Sequence, residues 1–164
     1  MEGSSPRGVE IERKFLVAEL PAGLGEHPRE RIEQGYLAIA PDGVEVRVRR
    51  RGGRATLTVK SGPGQVRTEE ELALDARRFD SLWPLTEGRR VSKTRHEVPL
   101  GPGLTAELDV YDGAHDGLVT VEIEFGSVDA SERFSPPPWI GRELTGDPRY
   151  ANQTLAVHGA PPAG

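Results

Sequence analysis

Two glutamates and a lysine alternate with other residues in a short segment near the start of the chain, V-E-I-E-R-K-F-L-V, Val9–Val17. In a β-strand, successive side chains point to opposite faces, so Glu10, Glu12 and Lys14 would share one face. The two carboxylates would then lie about 7 Å apart and repel each other. This arrangement needs a positive partner between the acids, either a metal ion or cationic side chains from other strands.

Acidic and basic residues of the later segments are segregated on different strands. The acidic pairs are Glu10/Glu12, Glu69/Glu71, Glu107/Asp109 and Glu122/Glu124, and the basic pairs are Arg47/Arg49 and Lys93/Arg95. A solvated strand face is common, but it usually mixes both signs. The segregation predicts a closed barrel with a charged lumen and an apolar outer face that helices and loops cover. Because an unpaired ion in such a lumen is costly, the two walls favour a phosphate chain bound together with Mg²⁺ or Mn²⁺.

Short alternating segments separated by Gly/Pro turns predict an antiparallel β protein. The predicted strands are Val9–Val17, Arg31–Ile39, Val44–Arg50, Ala55–Lys60, Val66–Leu74, Val91–Pro99, Leu104–Tyr111 and Leu118–Phe125. Helices are predicted at Ala76–Trp83, with Asp75 as the N-cap and Pro84 as the stop, and at Asp147–His158, with Asp147 as the cap; a short helix is predicted near Ala130.

Length and composition restrict the class of protein. The 164 residues fit one domain, with Met1–Gly8 as a leader, residues 9–158 as the domain and Gly159–Gly164 as a tail. Cysteine is absent, which excludes disulfides and thiolate chemistry and favours a reducing cytoplasm. The leader has no apolar core and predicts no signal peptide, and no segment is long and apolar enough to predict a membrane span.

A basic run at Arg47–Arg54, R-V-R-R-R-G-G-R, resembles a nucleic-acid patch. Strand alternation sends Arg50 to the face opposite Arg49, and Gly52-Gly53 predicts a hairpin turn. The net charge of -5 also argues against broad nucleic-acid binding. We therefore predict no nucleic-acid partner.

A family resemblance covers nearly the whole chain. E-I-E-R-K at Glu10–Lys14 matches the E-x-E-x-K signature of the CYTH domain, the triphosphate tunnel metalloenzymes. The further matching segments are, in order, Gln34–Leu37, Glu45–Arg49, Lys60, Glu69–Glu71, Gly88–Arg95, Glu107–Val110, Val121–Phe125, Pro136–Trp139 and Asp147–Asn152. The ordered set most resembles the short bacterial members that act as inorganic triphosphatases.

The resemblance implies an α+β fold that is mainly β with flanking helices: an eight-stranded antiparallel β-barrel around a charged tunnel, with a C-terminal helix. The implied triphosphate ligands are Lys14, Arg47, Arg49, Lys60, Lys93 and Arg95. The implied metal ligands are Glu10, Glu12, Glu122 and Glu124, and the implied catalytic set is Glu10, Glu12 and Lys14. The acidic wall would be completed by Glu69, Glu71, Glu107 and Asp109, either as ligands through water or as partners that orient basic side chains.

The expected activity is metal-dependent hydrolysis of inorganic triphosphate, in which water attacks the terminal phosphoryl group, with Mg²⁺ or Mn²⁺ as the cofactor. The same family includes adenylate cyclases and thiamine or nucleoside triphosphatases, and the charged residues leave these alternatives open. A non-enzymatic polyphosphate-binding module is less consistent with so many carboxylates, since they repel a polyanion unless metals intervene. We expect a cytoplasmic monomer or homodimer that binds a small molecule, with no membrane partner.

Overall fold

A computed structural model describes residues 9–62 and 65–162, and within these ranges the chain forms nine β-strands and three short α-helices. The strands are β1 Val9–Val17, β2 Arg29–Ile39, β3 Glu45–Arg51, β4 Arg54–Lys60, β5 Val66–Leu74, β6 Arg90–Gly101, β7 Leu104–Tyr111, β8 Val119–Glu124 and β9 Ile140–Glu143. The helices are α1 Ala76–Leu82, α2 Val128–Arg133 and α3 Asn152–His158. Single 3₁₀ turns lie at Leu24–Glu26, Trp83–Thr86, Gly113–His115 and Pro148–Tyr150.

Eight of these strands close into an antiparallel barrel in the order β1-β5-β4-β3-β2-β6-β7-β8, as the sequence predicts. Strand β1 completes the closure because one of its edges is shared by two partners. Its start, Val9–Ile11, pairs with β5, whereas Phe15 and Val17 pair with β9. The other edge of β1 pairs with β8 from Glu12 to Leu16. The barrel therefore brings the two ends of the charged pattern, β1 and β8, side by side.

The main hydrophobic core lies outside the barrel wall. It consists of Ile11, Phe15, Val98, Ala106, Leu108, Val121, Ile123, Phe125 and Ile140, with Phe134 and Trp139 packed against it. Arg13 interrupts the apolar row of β1 because it binds the connection that covers this core. Its guanidinium donates to Glu143 and to the carbonyl oxygen of Ser131, and it lies 5.2 Å from the centroid of the Phe15 ring.

The predicted cover over the apolar outer face is incomplete. Over β4 and β5, Val59 is 40% exposed and Leu72 is 63% exposed. Helix α1 has only seven residues and leaves both side chains uncovered. The N-cap prediction for this helix is confirmed, because the Asp75 side chain accepts from the backbone N–H of Arg78 at 2.8 Å. The α-helix ends at Leu82, before Pro84, and a 3₁₀ turn follows.

The C-terminal part of the chain contains one strand that was not predicted, and one predicted helix there is wrong. Strand β9 was not predicted, because four residues without a period-two pattern give no strand signal. The single helix predicted over Asp147–His158 is broken: a 3₁₀ turn capped by Asp147 is followed by Ala151 in an extended conformation (ψ 137°), and only then by α3. The break leaves the carbonyl oxygen of Tyr150 free to accept from Lys14 at 2.7 Å, a tertiary contact that local propensity does not encode.

The leader Met1–Gly8 lies outside the described residues, as do the last two residues of the tail, whereas residues 159–162 are described and form no regular structure. Within the described ranges, no helix has the length and apolar character needed to cross a membrane.

Candidate active site

The barrel encloses a cavity of about 420 Å³ whose walls are predominantly charged. Twelve of the fourteen residues proposed for the site line it: Glu10, Glu12, Lys14, Arg47, Arg49, Lys60, Glu69, Glu71, Arg95, Glu107, Glu122 and Glu124. The strand period places them there, since inward-facing residues alternate with outward-facing ones along every barrel strand. The other two proposed residues, Lys93 and Asp109, do not line the cavity, and their side chains are 0% exposed.

Strand register sets which charges meet across the wall. Glu12 is paired with Glu124, and Lys14 is paired with Glu122, both between β1 and β8. Directly opposed residues of antiparallel strands have Cβ atoms only about 5 Å apart. The first pairing therefore opposes two acids, whereas the second forms an ion pair in which Lys14 Nζ lies 3.5 Å from Glu122 Oε1.

The two glutamates of the E-x-E-x-K segment share two cationic partners. Lys60 Nζ lies 2.9 Å from Glu10 Oε1 and 4.0 Å from Glu12 Oε1, and Arg67 also contacts both carboxylates. Burial, followed by repulsion from Glu122, raises the pKa of Glu12 to about 8. In contrast, the pKa of Glu122 lies well below its usual value, because Lys14 and other cations outweigh the effect of burial. Neighbouring cations therefore stabilise the ionised form of Glu122 more than that of Glu12.

On the basic wall, Arg47 has a donor without an acceptor and Arg49 has a positive charge without a carboxylate partner. Arg47 lies 3.6 Å from Glu45 and 3.9 Å from Glu69, and its Nε atom is buried without an acceptor. Arg49 donates to the amide oxygen of Gln34 at 3.0 Å and has no carboxylate within 4.0 Å among the described residues. Burial, together with Arg47 and Arg95, lowers the pKa of Arg49 to about 10. A bound anion would provide an acceptor for Arg47 and would stabilise the charged form of Arg49.

Lys93 and Asp109 form a buried charge cluster with Arg95 behind the cavity wall. Asp109 accepts two hydrogen bonds from Arg95, at 2.7 and 2.8 Å, and lies 2.7 Å from Lys93 Nζ. Although burial opposes ionisation, these cations hold the pKa of Asp109 below its usual value. Lys93 thus neutralises an aspartate instead of facing the cavity, which differs from its predicted place in the phosphate cradle. Arg95 does reach the cavity, with Asp109 fixing its orientation.

The segment from Thr145 to the first turn of α3 supplies residues that the sequence analysis missed. Thr145, Asn152 and Gln153 line the cavity. The hydroxyl of Thr145 accepts from the backbone N–H of Lys14 at 3.0 Å, and Asn152 accepts from the hydroxyl of Tyr111 at 2.5 Å. No local pattern signals this placement, because it depends on how the C-terminal segment crosses the barrel.

Three charged residues of the strands that line the cavity were also absent from the proposed site: Glu45, Arg51 and Arg67. Alternation could have found all of them, since Glu45 and Arg51 share a face with Arg47, and Arg67 shares a face with Glu69.

Within the described residues, no three or more acids or histidines stand close enough together to form a ready metal site. Lys60 and Arg67 lie among the acids that could provide one. The donor set nevertheless fits a hard divalent cation, because it consists of carboxylate oxygens. Glu12 and Glu124 oppose each other across the wall, and burial together with neighbouring glutamates raises the pKa of Glu124. A divalent cation would relieve this repulsion, so Glu10, Glu12, Glu122 and Glu124 are the residues that could hold it.

Comparison with known proteins agrees with this geometry. The family model described as the CYTH domain matches residues 8–150, most of the chain. The chain belongs to the CYTH domain family. This CYTH chain is 48% identical over 149 residues to the inorganic triphosphatase of Nitrosomonas europaea, an alignment that covers 91% of this chain and 97% of that protein. It is also 37% identical over 151 residues to the inorganic triphosphatase of Acetivibrio thermocellus, with 90% and 93% covered.

A solved CYTH relative has the same fold. The crystal structure of the inorganic triphosphatase NE1496 superposes with a TM-score of 0.70 at 46% sequence identity, covering 93% of this chain and 97% of that one. The barrel that the alternation predicts is therefore the CYTH barrel, and membership of this family implies a divalent metal cofactor.

Proposed function

We propose that this protein hydrolyses inorganic triphosphate within the barrel, with Mg²⁺ or Mn²⁺ as the cofactor. One observation carries the proposal: the cavity within the barrel is lined by a cluster of carboxylates, by Arg47, whose Nε atom has no acceptor, and by Arg49, which has no carboxylate within 4.0 Å among the described residues. A phosphate chain complements the basic wall, and a divalent cation complements the acidic one. The names of the two bacterial relatives support inorganic triphosphate as the substrate.

The cationic side chains have the task of binding and orienting the triphosphate. Arginine forks bind phosphate oxygens in a bidentate manner, whereas a lysine acts as a point charge. Arg47 and Arg49 would hold the chain from β3, with Lys60 on the neighbouring strand β4 and Lys14 on β1. Arg95 would enter with its orientation set by Asp109. In phosphoryl transfer this positioning and charge neutralisation provide most of the catalysis.

The carboxylates Glu10, Glu12, Glu122 and Glu124 would hold the metal. A divalent metal held there would supply positive charge that polarises phosphate oxygens and would favour loss of a proton from the attacking water. Lys14 would keep its ammonium near the acids through the carbonyl oxygen of Tyr150 and through Glu122. Glu69, Glu71 and Glu107 lie on the same wall and would orient basic side chains or bind through water.

The lining of the cavity favours an inorganic substrate over an organic one. Among the described residues that line it, none is aromatic, so no ring is available to stack on a base or a thiazolium. Phosphate release measured with tripolyphosphate, ATP and thiamine triphosphate tests this choice. We expect tripolyphosphate to be the best substrate. Conversion of ATP to cyclic AMP with no reaction of tripolyphosphate would show that the protein is a cyclase instead.

Replacing the acids separates an enzyme from a binding module. We expect E10Q and E12Q to abolish turnover, because each removes a metal ligand, while tripolyphosphate binding measured calorimetrically in EDTA changes much less. Glu70 provides the matched control, since it lies on β5 beside Glu69 but is exposed on the outer face. E70Q should retain wild-type turnover. Unchanged rates in both E10Q and E12Q would refute the metal assignment, and no turnover in the wild type would favour a binding module.

Location and assembly remain predictions: a cytoplasmic monomer or homodimer that binds neither nucleic acid nor membrane.

A further inference from the structure

Arg67 is a charged residue of the cavity for which the reaction proposed above has no task. It lies on β5, directly opposite Glu10 on β1, and its side chain is 17% exposed. Its Nη2 atom lies 3.4 Å from Glu10 Oε1 and also contacts Glu12. One guanidinium nitrogen is therefore shared by the two acids that stand first among the candidate metal ligands.

The guanidinium of Arg67 has fewer hydrogen-bond and ion-pair partners than that of Arg95. All three guanidinium nitrogens of Arg95 reach carboxylates, on Asp109, Glu107 and Glu122. Arg67 uses Nη2 alone for its ion pairs, and its Nε atom is buried without an acceptor. A buried donor without a partner is unfavourable. The position of Arg67 is therefore held by the negative charge of Glu10 and Glu12, with few other bonds to retain it.

Lys60, the other cation at these acids, has an alternative partner. Its ammonium lies 3.8 Å from Glu69 as well as near Glu10 and Glu12, and the side chain is only 7% exposed. Lys60 can thus stay in place when the acids change partners, whereas Arg67 has no third carboxylate within 4.0 Å among the described residues. The cation that must yield to a metal is therefore Arg67.

We propose that Arg67 is an internal counter-ion of Glu10 and Glu12, which a divalent cation displaces when it binds. This inference rests on the proposed assignment of the metal ligands. Two cations competing for the same carboxylates are thermodynamically linked, so the guanidinium weakens metal binding by as much as the metal weakens the contacts of the guanidinium. Arg67 is thus a positioning residue that sets the metal affinity.

Titration of the substrate-free protein with Mn²⁺, followed by electron paramagnetic resonance at fixed ionic strength, tests the proposal. We expect R67Q to bind Mn²⁺ about tenfold more tightly than the wild type, because the competing charge is gone. R67K retains the charge and should stay near the wild-type affinity. R31Q is the matched control, since Arg31 is an exposed arginine paired with Asp112 outside the cavity, and it should leave the affinity unchanged.

A second measurement uses the unaltered site. In the ¹H–¹⁵N spectrum of the wild type, the Arg67 Nε–H signal, identified by its loss in R67K, should shift when Mg²⁺ is added, while the Arg31 signal should not. This readout does not depend on the folding of R67Q. An unmoved Arg67 signal with Mg²⁺ bound would overturn the inference, as would an equal or weaker Mn²⁺ affinity in R67Q. A wild type that binds neither metal would instead overturn the metal assignment itself.

Discussion

Replacing Asp109 by asparagine should destabilise the barrel strongly, because this carboxylate is the anion shared by two buried cations. Its side chain is 0% exposed, and it lies within 2.8 Å of both Lys93 and Arg95. The substitution preserves the size and shape of the side chain, removes its charge and replaces one acceptor oxygen by an N–H donor. The loss of stability therefore measures the charge and the second acceptor of the carboxylate together.

The expected loss is about 3–5 kcal/mol, the usual cost of removing one partner from a buried ion pair. Arg95 keeps its proton at any accessible pH and loses its bidentate partner, although Glu107 and Glu122 remain beside it. Lys93 can escape part of the penalty, since burial already lowers its pKa to about 7 despite the opposing effect of Asp109. A domain of this kind is stable by about 5–15 kcal/mol in total, so D109N should remain measurable in urea.

Urea unfolding followed by circular dichroism at pH 7 gives the free energy of unfolding of D109N and of a matched control, D112N. Asp112 pairs with Arg31 at 2.5 Å, but the two side chains are 40% and 53% exposed, so D112N should cost about 0–1 kcal/mol. Equal costs for D109N and D112N would refute the reasoning that burial makes this ion pair important.

The pH dependence of the stability independently checks that Asp109 stabilises the fold in its ionised form. Asp109 has a lowered pKa in the folded protein, so its contribution is complete above the unfolded value of about 3.8 and is lost as the pH falls through the lower folded value. Because Lys93, whose pKa is about 7, also titrates near neutrality, the check is made below the unfolded pKa of Asp109, where the difference in stability between the wild type and D109N should shrink as the pH falls. A difference that is still growing in this acid range would contradict the ionised state assigned to Asp109.

Two further substitutions test the basic wall and the packing of the barrel. R49Q should raise the KM for tripolyphosphate about 10- to 100-fold by removing a charge-assisted contact, with little loss of stability, since Arg49 has no carboxylate partner among the described residues. R50Q, on the outer face of the same strand, should leave KM unchanged, and equal KM values in steady-state assays would remove Arg49 from the phosphate cradle. G35A should lower the melting temperature by several degrees in calorimetry, because a Cβ there would overlap the hydroxyl of Thr86 and lie 2.5 Å from its Cβ. A Cβ added at Gly53 would have no heavy atom of another residue within 4 Å, so G53A should have the melting temperature of the wild type. Equal decreases in melting temperature for G35A and G53A would contradict the close contact at Gly35.

The alternation of side chains predicted most of the barrel and most of its lining. Glu10, Glu12 and Arg49 face the cavity because every second residue of a strand must point to the same side. The same rule placed Arg67 and Glu45 on this face, although neither was included in the proposed site. A strand period depends only on neighbouring residues, which is why the sequence alone is sufficient for this level of the structure.

Alternation gives the direction of a side chain but not its depth or its partner. Lys93 follows the same pattern as Arg95, yet it is buried against Asp109 and does not line the cavity. The break at Ala151 and the short strand β9 are likewise set by contacts with β1, more than a hundred residues earlier in the chain. These features depend on non-local pairing, which composition and period do not contain.

The amino-acid sequence by itself determined the alternating strands and the signs of charge on their shared face, because both follow from the local geometry of a strand. Only the tertiary structure decided which charges neutralise each other. It pairs Arg95 and Lys93 with Asp109, assigns Arg67 to Glu10 and Glu12, and leaves Arg49 without a carboxylate. Electrostatic energy depends on distance and burial, and both are set by the closure of strands that are far apart in the chain.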